Sequence, residues 1–233
     1  MRTALCISCD YNYIEGLRKV LYSLQGQPHD IVLISKDVNQ DDLEYPVIIH
    51  RPMQDYTMLP ANERFTEAVW YIFESLLLGY ERVCWVGSDA LVVGDLTELP
   101  TAPFSAVREN ILNNPRGFCG GMVTIRPDCF PGLWDTLMDI AKRYPDNQMA
   151  DQEVLNRWIT ENNIEVNVLE DTWDVTKRLY KMSPEWWDEN KHRFKSIHYV
   201  GKIKPWLGDE PGYEALHKFW RDYNIGDEVP CAQ

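Results

Sequence analysis

Apolar residues recur at two different spacings along this chain of 233 residues. Short extended runs of the kind that form buried strands occur at residues 3–8, 30–35, 45–50, 81–86, 91–93, 120–125, 164–169 and 196–200. Between them, apolar residues return every three or four positions, the spacing of one helix face, at residues 14–24, 61–78, 133–144, 151–158 and 214–223. This alternation predicts an α/β fold, a Rossmann-like α/β/α sandwich whose central sheet is mostly parallel and carries helices on both faces.

The same pattern contains no internal repeat, low-complexity tract or Gly/Ser-rich linker. A length of 233 residues fits one α/β domain. We therefore expect residues 1–233 to form a single domain, with residues 207–233 as a helical extension at its C-terminal end.

Charge and cysteine usage restrict the class of protein. The formal net charge of −13 would repel a polyanion such as DNA, and the best basic cluster, residues 191–204, is too short for a duplex-binding face. No run approaches the roughly 18 apolar residues of a membrane span, and the first apolar run is too short for a secretory signal. Six scattered cysteines suit a reducing compartment. We expect a cytoplasmic protein without a membrane span.

A single acid follows the buried strand predicted at residues 81–86. Asp89 comes after that apolar run and the short turn that begins at Gly87. In open α/β sheets, ligands bind at the carboxyl ends of the strands, so Asp89 is a candidate site residue. Acids at strand ends also cap turns, and that alternative stays open for Asp89 taken alone.

Near the C-terminal end, three residues have the chemistry of an anion site. His198 lies in an extended run, Gly201 lets the backbone approach a ligand closely, and Lys204 supplies a cation. A histidine followed by Lys-Pro is otherwise ordinary surface composition. The complete spacing favours the functional interpretation.

Five segments resemble, in the same order, motifs of the glycogenin-like (family 8) retaining glycosyltransferases. Residues 8–16 resemble the Thr-x-Asn-x-x-Tyr loop of that family, and residues 82–99 resemble its Asp-x-Asp strand. The other matching segments are residues 118–127 (Phe-Asn-Ser-Gly-Val strand), 151–156 (Asp-Gln-x-x-Leu-Asn) and 197–206 (His-x-x-Gly-x-x-Lys-Pro-Trp). The resemblance covers nearly the whole chain and implies a GT-A-like fold, a UDP-sugar donor and Mn²⁺ or another divalent cation.

The resemblance implies a metal and diphosphate site. Asp89 and His198 would bind the cation that bridges the donor diphosphate, and hard carboxylate oxygens suit such an ion. Lys204 would pair with a phosphate oxygen, and Gly201 would let the backbone approach the diphosphate. Gly87 stands where the family has its first aspartate, so this chain offers the metal one carboxylate fewer than the family pattern.

The resemblance also implies a nucleotide site. Tyr13 would stack on the base, a contact worth roughly 1–3 kcal/mol in nucleic-acid systems, unless it is the first apolar anchor of the following helix. Ser8 and Asp10 would meet the base or the ribose. Ser88 would belong to the same donor site, and Arg64 would add a further basic contact.

For the donor sugar, the resemblance implies four residues. Gly120 and Gly121 would let the backbone lie along the sugar ring, unless they mark a bulge. Cys119 replaces the asparagine that is common in the family. Asp151 would contact sugar hydroxyls, or only cap a helix, and Gln152 would lie beneath the anomeric carbon, where a neutral amide suits an oxocarbenium-like centre.

These features together predict a retaining transfer of a hexosyl unit from a UDP-sugar to an unidentified acceptor, with Asp151 and Gln152 as the catalytic residues. A glycan, a protein or a lipid is a better acceptor than a nucleic acid, because of the net charge; an oligomeric state stays open. The alternative is a catalytically weak nucleotide-sugar-binding protein, suggested by Gly87 and Cys119. A nucleotidyltransferase is disfavoured, since the turn at residues 10–12 is acidic rather than Gly-rich and basic.

Overall fold

The computed structural model describes residues 2–59, 66–109, 117–144 and 150–232. The strands of these ranges are β1 (Thr3–Ser8), β2 (Asp30–Ile34), β3 (Ile48–His50), β4 (Arg82–Val86), β5 (Ala90–Val92), β6 (Phe104–Arg108), β7 (Phe118–Ile125), β8 (Asn167–Leu169), β9 (Val175–Thr176) and β10 (Ser196–His198). The α-helices are α1 (Ile14–Ser23), α2 (Ala68–Tyr71), α3 (Leu133–Arg143), α4 (Ala150–Glu161), α5 (Leu179–Met182), α6 (Pro184–Asn190) and α7 (Glu214–Asp222).

Seven strands form the central sheet, in the order β3-β2-β1-β4-β7-β6-β8. Strands β3, β2, β1 and β4 are parallel neighbours, and β8 is parallel to β6. Strand β7 runs antiparallel to both β4 and β6, so it is the one strand of this sheet that points the other way. The predicted mostly parallel central sheet is therefore confirmed.

Helices cover both faces of this sheet because successive strand residues point to opposite sides. Helix α1 packs on the face that carries Leu5 and Ile7, which are fully buried. Helices α2, α3 and α4 pack on the other face with Cys6, Val83 and Trp85. Each fully buried large apolar side chain contributes about 1.5–3 kcal/mol. The predicted α/β/α sandwich is confirmed.

A second, smaller sheet has the order β5-β10-β9 and lies beyond the end of β4. Its apolar residues, among them Leu91 and Ile197, share a cluster with Leu216 and Trp220 of helix α7. The hydroxyl of Tyr199, directly after β10, donates a hydrogen bond to the carbonyl of Leu216 at 3.2 Å. The C-terminal helix therefore supports the sheet that carries His198.

The sequence pattern differs from the structure at several places. In place of the helix predicted for residues 61–78, the structure has the short helix α2 followed by a 3₁₀ helix at Ile72–Leu77. Apolar residues three positions apart are compatible with either kind of helix. Residues 60–65 lie outside the described part of the chain. The strand predicted at residues 45–50 is shorter. Strands β6 and β9 were missed, because β6 mixes polar with apolar residues and β9 has two residues.

Across the described ranges, no helix is long and apolar enough to cross a membrane. All six cysteines are free thiols. Cys6, Cys9, Cys84 and Cys119 are buried, whereas Cys129 and Cys231 are exposed.

Candidate active site

The turn after β4 carries the chain from the large sheet into the small one. Strand β4 is buried along its whole length, and β5 begins at Ala90. The amide of Gly87 donates to the carbonyl of Gly121 at 3.0 Å, which ties this turn to β7. The amide of Tyr199 donates to the carbonyl of Asp89 at 3.0 Å, and His198 pairs with Ala90 across the small sheet. Backbone pairing thus places Asp89 beside His198.

Asp89, His198 and Lys204 are in direct contact, although they lie far apart in the sequence. Nε2 of His198 is 3.0 Å from Oδ1 of Asp89. Nζ of Lys204 donates a short hydrogen bond to Oδ2 of Asp89 and another, at 2.9 Å, to the carbonyl of Tyr199. The three side chains are 8–15% exposed, so the cluster is largely shielded from water.

This shielding makes the charges of the cluster depend on one another. Burial alone would raise the pKa of Asp89, but the charges of His198 and Lys204 and their hydrogen bonds outweigh it and hold that pKa below its usual range. Burial would lower the pKa of His198, but Asp89 and Asp174 outweigh it and hold that pKa well above its usual value. Both residues therefore favour their charged forms when no metal is bound.

Asp174 is a site residue that the sequence did not reveal. Its side chain is fully buried, and its Oδ1 lies 3.4 Å from Nδ1 of His198. Ser196 Oγ lies 3.4 Å from the same carboxylate oxygen, whereas Oδ2 of Asp174 has no hydrogen-bond partner in the described part of the chain. An isolated acid before a two-residue strand gives no periodic signal, which is why sequence reasoning missed it.

Two glycines create the space in which these side chains meet. A β-carbon on Gly121 would overlap Nδ1 of His198 and lie 2.5 Å from Oδ2 of Asp174. A β-carbon on Gly87 would lie 3.2 Å from Oδ1 of Asp89 and 3.5 Å from Nε2 of His198. Gly121 is thus needed for a close approach, and Gly87 faces the site at the position where the family has an acid.

Asp151 and Gln152 lie on the other side of the same glycine pair. The side chain of Asn156 forms two hydrogen bonds with the backbone of Phe118, at 2.7 and 2.8 Å, and so fastens α4 to the start of β7. This contact brings α4 close to Gly120, whose β-carbon position is 3.5 Å from Oδ2 of Asp151 and 3.4 Å from Cβ of Gln152. Burial raises the pKa of Asp151 to about 7.

Glu109, another residue missed by sequence reasoning, sets the orientation of Gln152. Nε2 of Gln152 donates to Oε2 of Glu109 at 2.5 Å, and the amide of Gly120 approaches Oε1 of Gln152 at 3.4 Å. An ionised carboxylate only accepts hydrogen bonds, so the amide nitrogen must face Glu109 and the carbonyl oxygen must face Gly120. A lone glutamate at the end of an unpredicted strand carried no signal.

Residues 8–16, the segment predicted to bind the nucleotide, pack against residues 197–206 around Gly16. A β-carbon there would lie 2.6 Å from the ring of Trp206 and 2.8 Å from the carbonyl of Ser88. Tyr13 packs edge-on against Trp206 with ring centroids 5.7 Å apart, and Nζ of Lys204 is 5.9 Å from the centroid of Tyr13. One region is therefore lined by residues 8–16, the turn after β4 and residues 197–206.

The remaining predicted residues stand as follows. Asp10 uses Oδ1 to accept the backbone amide of Asn12 at 3.0 Å, which shapes the loop before α1. Ser8 ends β1 and is partly buried. Gly201 has a φ of 103°, in the left-handed region that favours glycine, and its β-carbon position is 3.9 Å from the Lys177 side chain. Arg64 lies outside the described residues.

The residues around Asp89 fit a divalent cation with an incomplete ligand set. Oδ1 of Asp89 and Nε2 of His198 are 3.0 Å apart, close enough to chelate one ion. Lys204, however, already contacts the other oxygen of Asp89, and Gly87 contributes no carboxylate. Two protein ligands are therefore present, and a bound ion would need further oxygens from a ligand or from water.

No protein-family model matches the sequence, and no curated protein matches it by sequence. Solved glycosyltransferase structures do match the fold. GlyE of Streptococcus pneumoniae TIGR4, in its apo form, has a TM-score of 0.70 and 20% identity over 97% of this chain and 61% of its own. The galactosyltransferase LgtC, in complex with donor and acceptor sugar analogs, has a TM-score of 0.70 and 16% identity over 97% of both chains. The bifunctional glycosyltransferase WbbM has a TM-score of 0.63 and 17% identity over 93% of this chain and 51% of its own.

At these identities the likeness establishes the fold, which is the GT-A-like fold that the motifs implied. The chain spans 61% of the length of GlyE and 97% of the length of LgtC. None of the three is named as a glycogenin, so the narrower resemblance stays a prediction. The chain has the fold of known glycosyltransferases, with a cluster of charged residues beyond the carboxyl end of β4.

Proposed function

We propose that this protein is a retaining glycosyltransferase that transfers a hexosyl unit from a UDP-sugar to an acceptor. The observation that carries the proposal is the direct contact of Asp89, His198 and Lys204 beyond the end of β4. Ligands of open α/β sheets bind at that end, and a cation beside an acid and an imidazole can hold a diphosphate and its counter-ion. The shared fold with three glycosyltransferases is consistent with this proposal.

In this proposal the diphosphate lies against Lys204 and the backbone at Gly201. Lys204 moves from Asp89 to a phosphate oxygen when the donor binds, since both are anionic partners for the same ammonium. Asp89 and His198 would hold a divalent cation, with Mn²⁺ as the expected ion. When bound, such an ion neutralises charge on the departing diphosphate. Tyr13 stacks on the base and Ser8, Asp10, Ser88 and Arg64 complete the nucleotide site.

The sugar lies along Gly120 and Gly121 in this proposal. Asp151 accepts hydrogen bonds from sugar hydroxyls, and the carbonyl oxygen of Gln152 faces the anomeric carbon, where its partial negative charge stabilises an oxocarbenium-like centre. Glu109 acts through Gln152, because its hydrogen bond at 2.5 Å keeps the amide nitrogen turned away from the sugar.

The acceptor is a sugar-containing molecule in this proposal. LgtC, which shares the fold over nearly its whole length, is a galactosyltransferase solved with donor and acceptor sugar analogs. We also propose that residues 1–233 form one domain with residues 207–233 as its extension, and that the protein is cytoplasmic, which suits six free thiols.

Isothermal titration calorimetry with UDP and Mn²⁺ tests the site. We expect Asp89→Ala and His198→Ala each to weaken UDP binding by at least about tenfold, or roughly 1.4 kcal/mol. Asp128→Asn is the control, because this exposed carboxylate contacts Arg126 and Cys129 and none of the proposed site residues. Equal UDP affinity in all four proteins would contradict the assignment.

A second candidate is a protein that binds nucleotide sugars without transferring them. Gly87 leaves the metal site without its second carboxylate, and Lys204 forms an ion pair with Asp89. Cys119 stands in place of the family's asparagine beside the proposed sugar site. A panel of UDP-sugars, assayed for UDP release with Mn²⁺, separates the two. Turnover of any donor above the rate of the Gln152→Ala variant supports the transferase, whereas stoichiometric binding without turnover supports the binding protein.

A further inference from the structure

His198 presents its two ring nitrogens to two different carboxylates. Nε2 is 3.0 Å from Oδ1 of Asp89, which is the distance of a hydrogen bond donated by an Nε2–H group. Nδ1 is 3.4 Å from Oδ1 of Asp174 and has no hydrogen-bond partner within the described residues. Nδ1 therefore faces a carboxylate oxygen at a distance that is long for a hydrogen bond. A metal ion bound to both atoms would replace this weak contact with two metal–ligand bonds.

The carboxylate of Asp174 is itself short of partners. Its side chain is fully buried, and Oδ2 has no hydrogen-bond partner among the described residues. Lys204, the ammonium of the cluster, is already paired with Asp89. Oδ1 of Asp174 has only long contacts, to His198 and Ser196, so the buried Oδ2 is available to bind a cation.

A buried thiol completes this set of ligands. Sγ of Cys119, Nδ1 of His198 and a carboxylate oxygen of Asp174 all lie within 4.8 Å of one another. Zinc–ligand bonds of about 2.0–2.3 Å would place ligand atoms of a tetrahedral site roughly 3.4–3.6 Å apart, so shifts of about one ångström close the site. The side chain of His198 is 14% exposed, whereas that of Asp174 is fully buried, so solvent reaches the site at the imidazole ring.

We propose that Cys119, Asp174 and Nδ1 of His198 form a binding site for a thiophilic divalent metal of the Zn²⁺ type. A mixed sulfur, nitrogen and oxygen set suits Zn²⁺ or Co²⁺ and does not suit Mn²⁺, which prefers oxygen ligands. A metal-bound thiol is deprotonated, so the thiolate and the carboxylate together carry two negative charges. These two charges neutralise the two positive charges of the ion. Asp89 then holds the Nε2–H of the same ring, as outer carboxylates do in metal–histidine sites.

The site accounts for both departures from the family pattern. Gly87 removes an oxygen ligand on the Nε2 side of His198, and Cys119 adds a sulfur ligand on the Nδ1 side. A neutral imidazole has one lone pair, so the two sides of the ring exclude each other as ligands. Zn²⁺ at Nδ1 would therefore compete with Mn²⁺ at Nε2. The inference does not rest on the transfer reaction, because it concerns other ligands and another class of ion.

Titration of the chelator-treated, full-length protein with Zn²⁺ and Co²⁺ tests the site. We expect one ion per chain and, with Co²⁺, the near-ultraviolet absorption of a thiolate–cobalt bond. Cys119→Ser should abolish that absorption and weaken Zn²⁺ binding by about 100-fold or more, since even an outer partner is worth roughly 10–100-fold. Asp174→Asn should weaken Zn²⁺ binding by at least about tenfold. Cys129→Ser, a change of an exposed thiol, should leave both readouts unchanged.

Asp89→Asn separates this inference from the proposed function. This variant should keep the cobalt–thiolate absorption, because Asp89 is not a ligand on the Nδ1 side, while UDP binding with Mn²⁺ falls. Absence of a stoichiometric ion, or absorption that persists in Cys119→Ser, would overturn the inference. If Cys119→Ser does not fold, the melting temperature of the unaltered protein tests the inference instead. Zn²⁺ must raise this temperature, and EDTA must reverse the rise. A missing shift would overturn the inference as well.

Discussion

Gly121 shows how strongly single residues control this site. Its missing side chain lets Asp174 and His198 approach the backbone of β7, since a β-carbon would overlap Nδ1 of His198. The neighbouring Gly120 differs, because its β-carbon position makes contacts of 3.4 Å or longer. Two adjacent glycines in one strand therefore make unequal demands on their surroundings.

Gly121→Ala is expected to destabilise the fold, whereas Gly120→Ala is its matched control. Overpacking of a buried position typically costs about 1–3 kcal/mol, and the groups that a β-carbon at Gly121 would meet are buried parts of Asp174 and His198. Ordinary contact distances at Gly120 predict a change within about 0.5 kcal/mol. Thermal or urea unfolding of both variants measures the difference. Similar unfolding free energies would contradict the close approach at Gly121.

Asp151 makes a prediction about pH. Burial raises its pKa to about 7, so in the folded protein the carboxyl group is protonated below that pH and ionised above it. If only the carboxylate binds sugar hydroxyls, donor affinity should rise by about tenfold between about pH 6 and about pH 8. The same shift lowers stability as pH rises from about 4 to about 7, because the folded state holds the proton more tightly than the unfolded state does.

Calorimetry with a UDP-sugar across this pH range measures the effect. Asp151→Asn removes the titrating group, and its donor affinity should lose this rise. A pH profile that is the same in both proteins would assign the rise to another group.

At the scale of elements, buried polar residues hold loops and helices of this fold in place. The loop after β3 is held by Glu74 of the 3₁₀ helix Ile72–Leu77, whose side chain is fully buried. Glu74 accepts hydrogen bonds from Tyr56 Oη at 2.7 Å and from the Met53 amide at 2.8 Å, and it contacts Nε2 of His50 at 2.8 Å. One carboxylate therefore joins β3, its following loop and the helical segment.

Glu74→Gln should weaken this junction without changing its volume. An amide has one acceptor oxygen, so at least one of the donors that face Glu74 loses its partner, at a cost of about 1–3 kcal/mol. Asp128→Asn is the control, because its ion pair with Arg126 is exposed to solvent and contributes little to stability. Urea unfolding of both variants is the measurement. A loss no larger in Glu74→Gln than in Asp128→Asn would mean that the junction contributes little.

At the scale of the whole molecule, the C-terminal segment is part of the packing that positions the site. Leu216, Trp220 and Tyr223 are buried in the same cluster as Leu91 and Ile197, which flank Asp89 and His198 in the small sheet. The hydroxyl of Tyr223 also reaches the carbonyl of Val92 at 3.4 Å. Residues 207–232 therefore contribute part of the apolar cluster in which the small sheet is buried.

Removal of residues 207–233 should consequently abolish cooperative thermal unfolding and UDP binding together. The truncated chain would expose the apolar side of the small sheet, which favours aggregation. Ile225→Ala, in the same segment but 52% exposed, should melt within a few degrees of the unaltered protein. A truncated protein that melts cooperatively at the original temperature would show that the segment is a dispensable appendage.

The sequence alone determined the class of fold and much of the candidate site. Local periodicity identified β1, β2, β4 and β7 and the main helices, because burial on a sheet face or helix face leaves a regular spacing of apolar residues. Asp89, His198 and Lys204 were recognised because their motifs are local and keep fixed spacings. The structure brings these three into contact, as the resemblance to the family implied.

Only the tertiary structure decided which unmarked residues join them. Asp174 and Glu109 lie beside segments without periodic signal, and they contact His198 and Gln152 only in the folded chain. Cys119 lies in β7, and only the fold shows that its thiol is close to His198 and Asp174. Sequence spacing does not encode which ring nitrogen of His198 each carboxylate faces. It also does not encode that a β-carbon on Gly121 would overlap the His198 ring. Local patterns specify the elements, whereas the chemistry of the buried site depends on long-range packing.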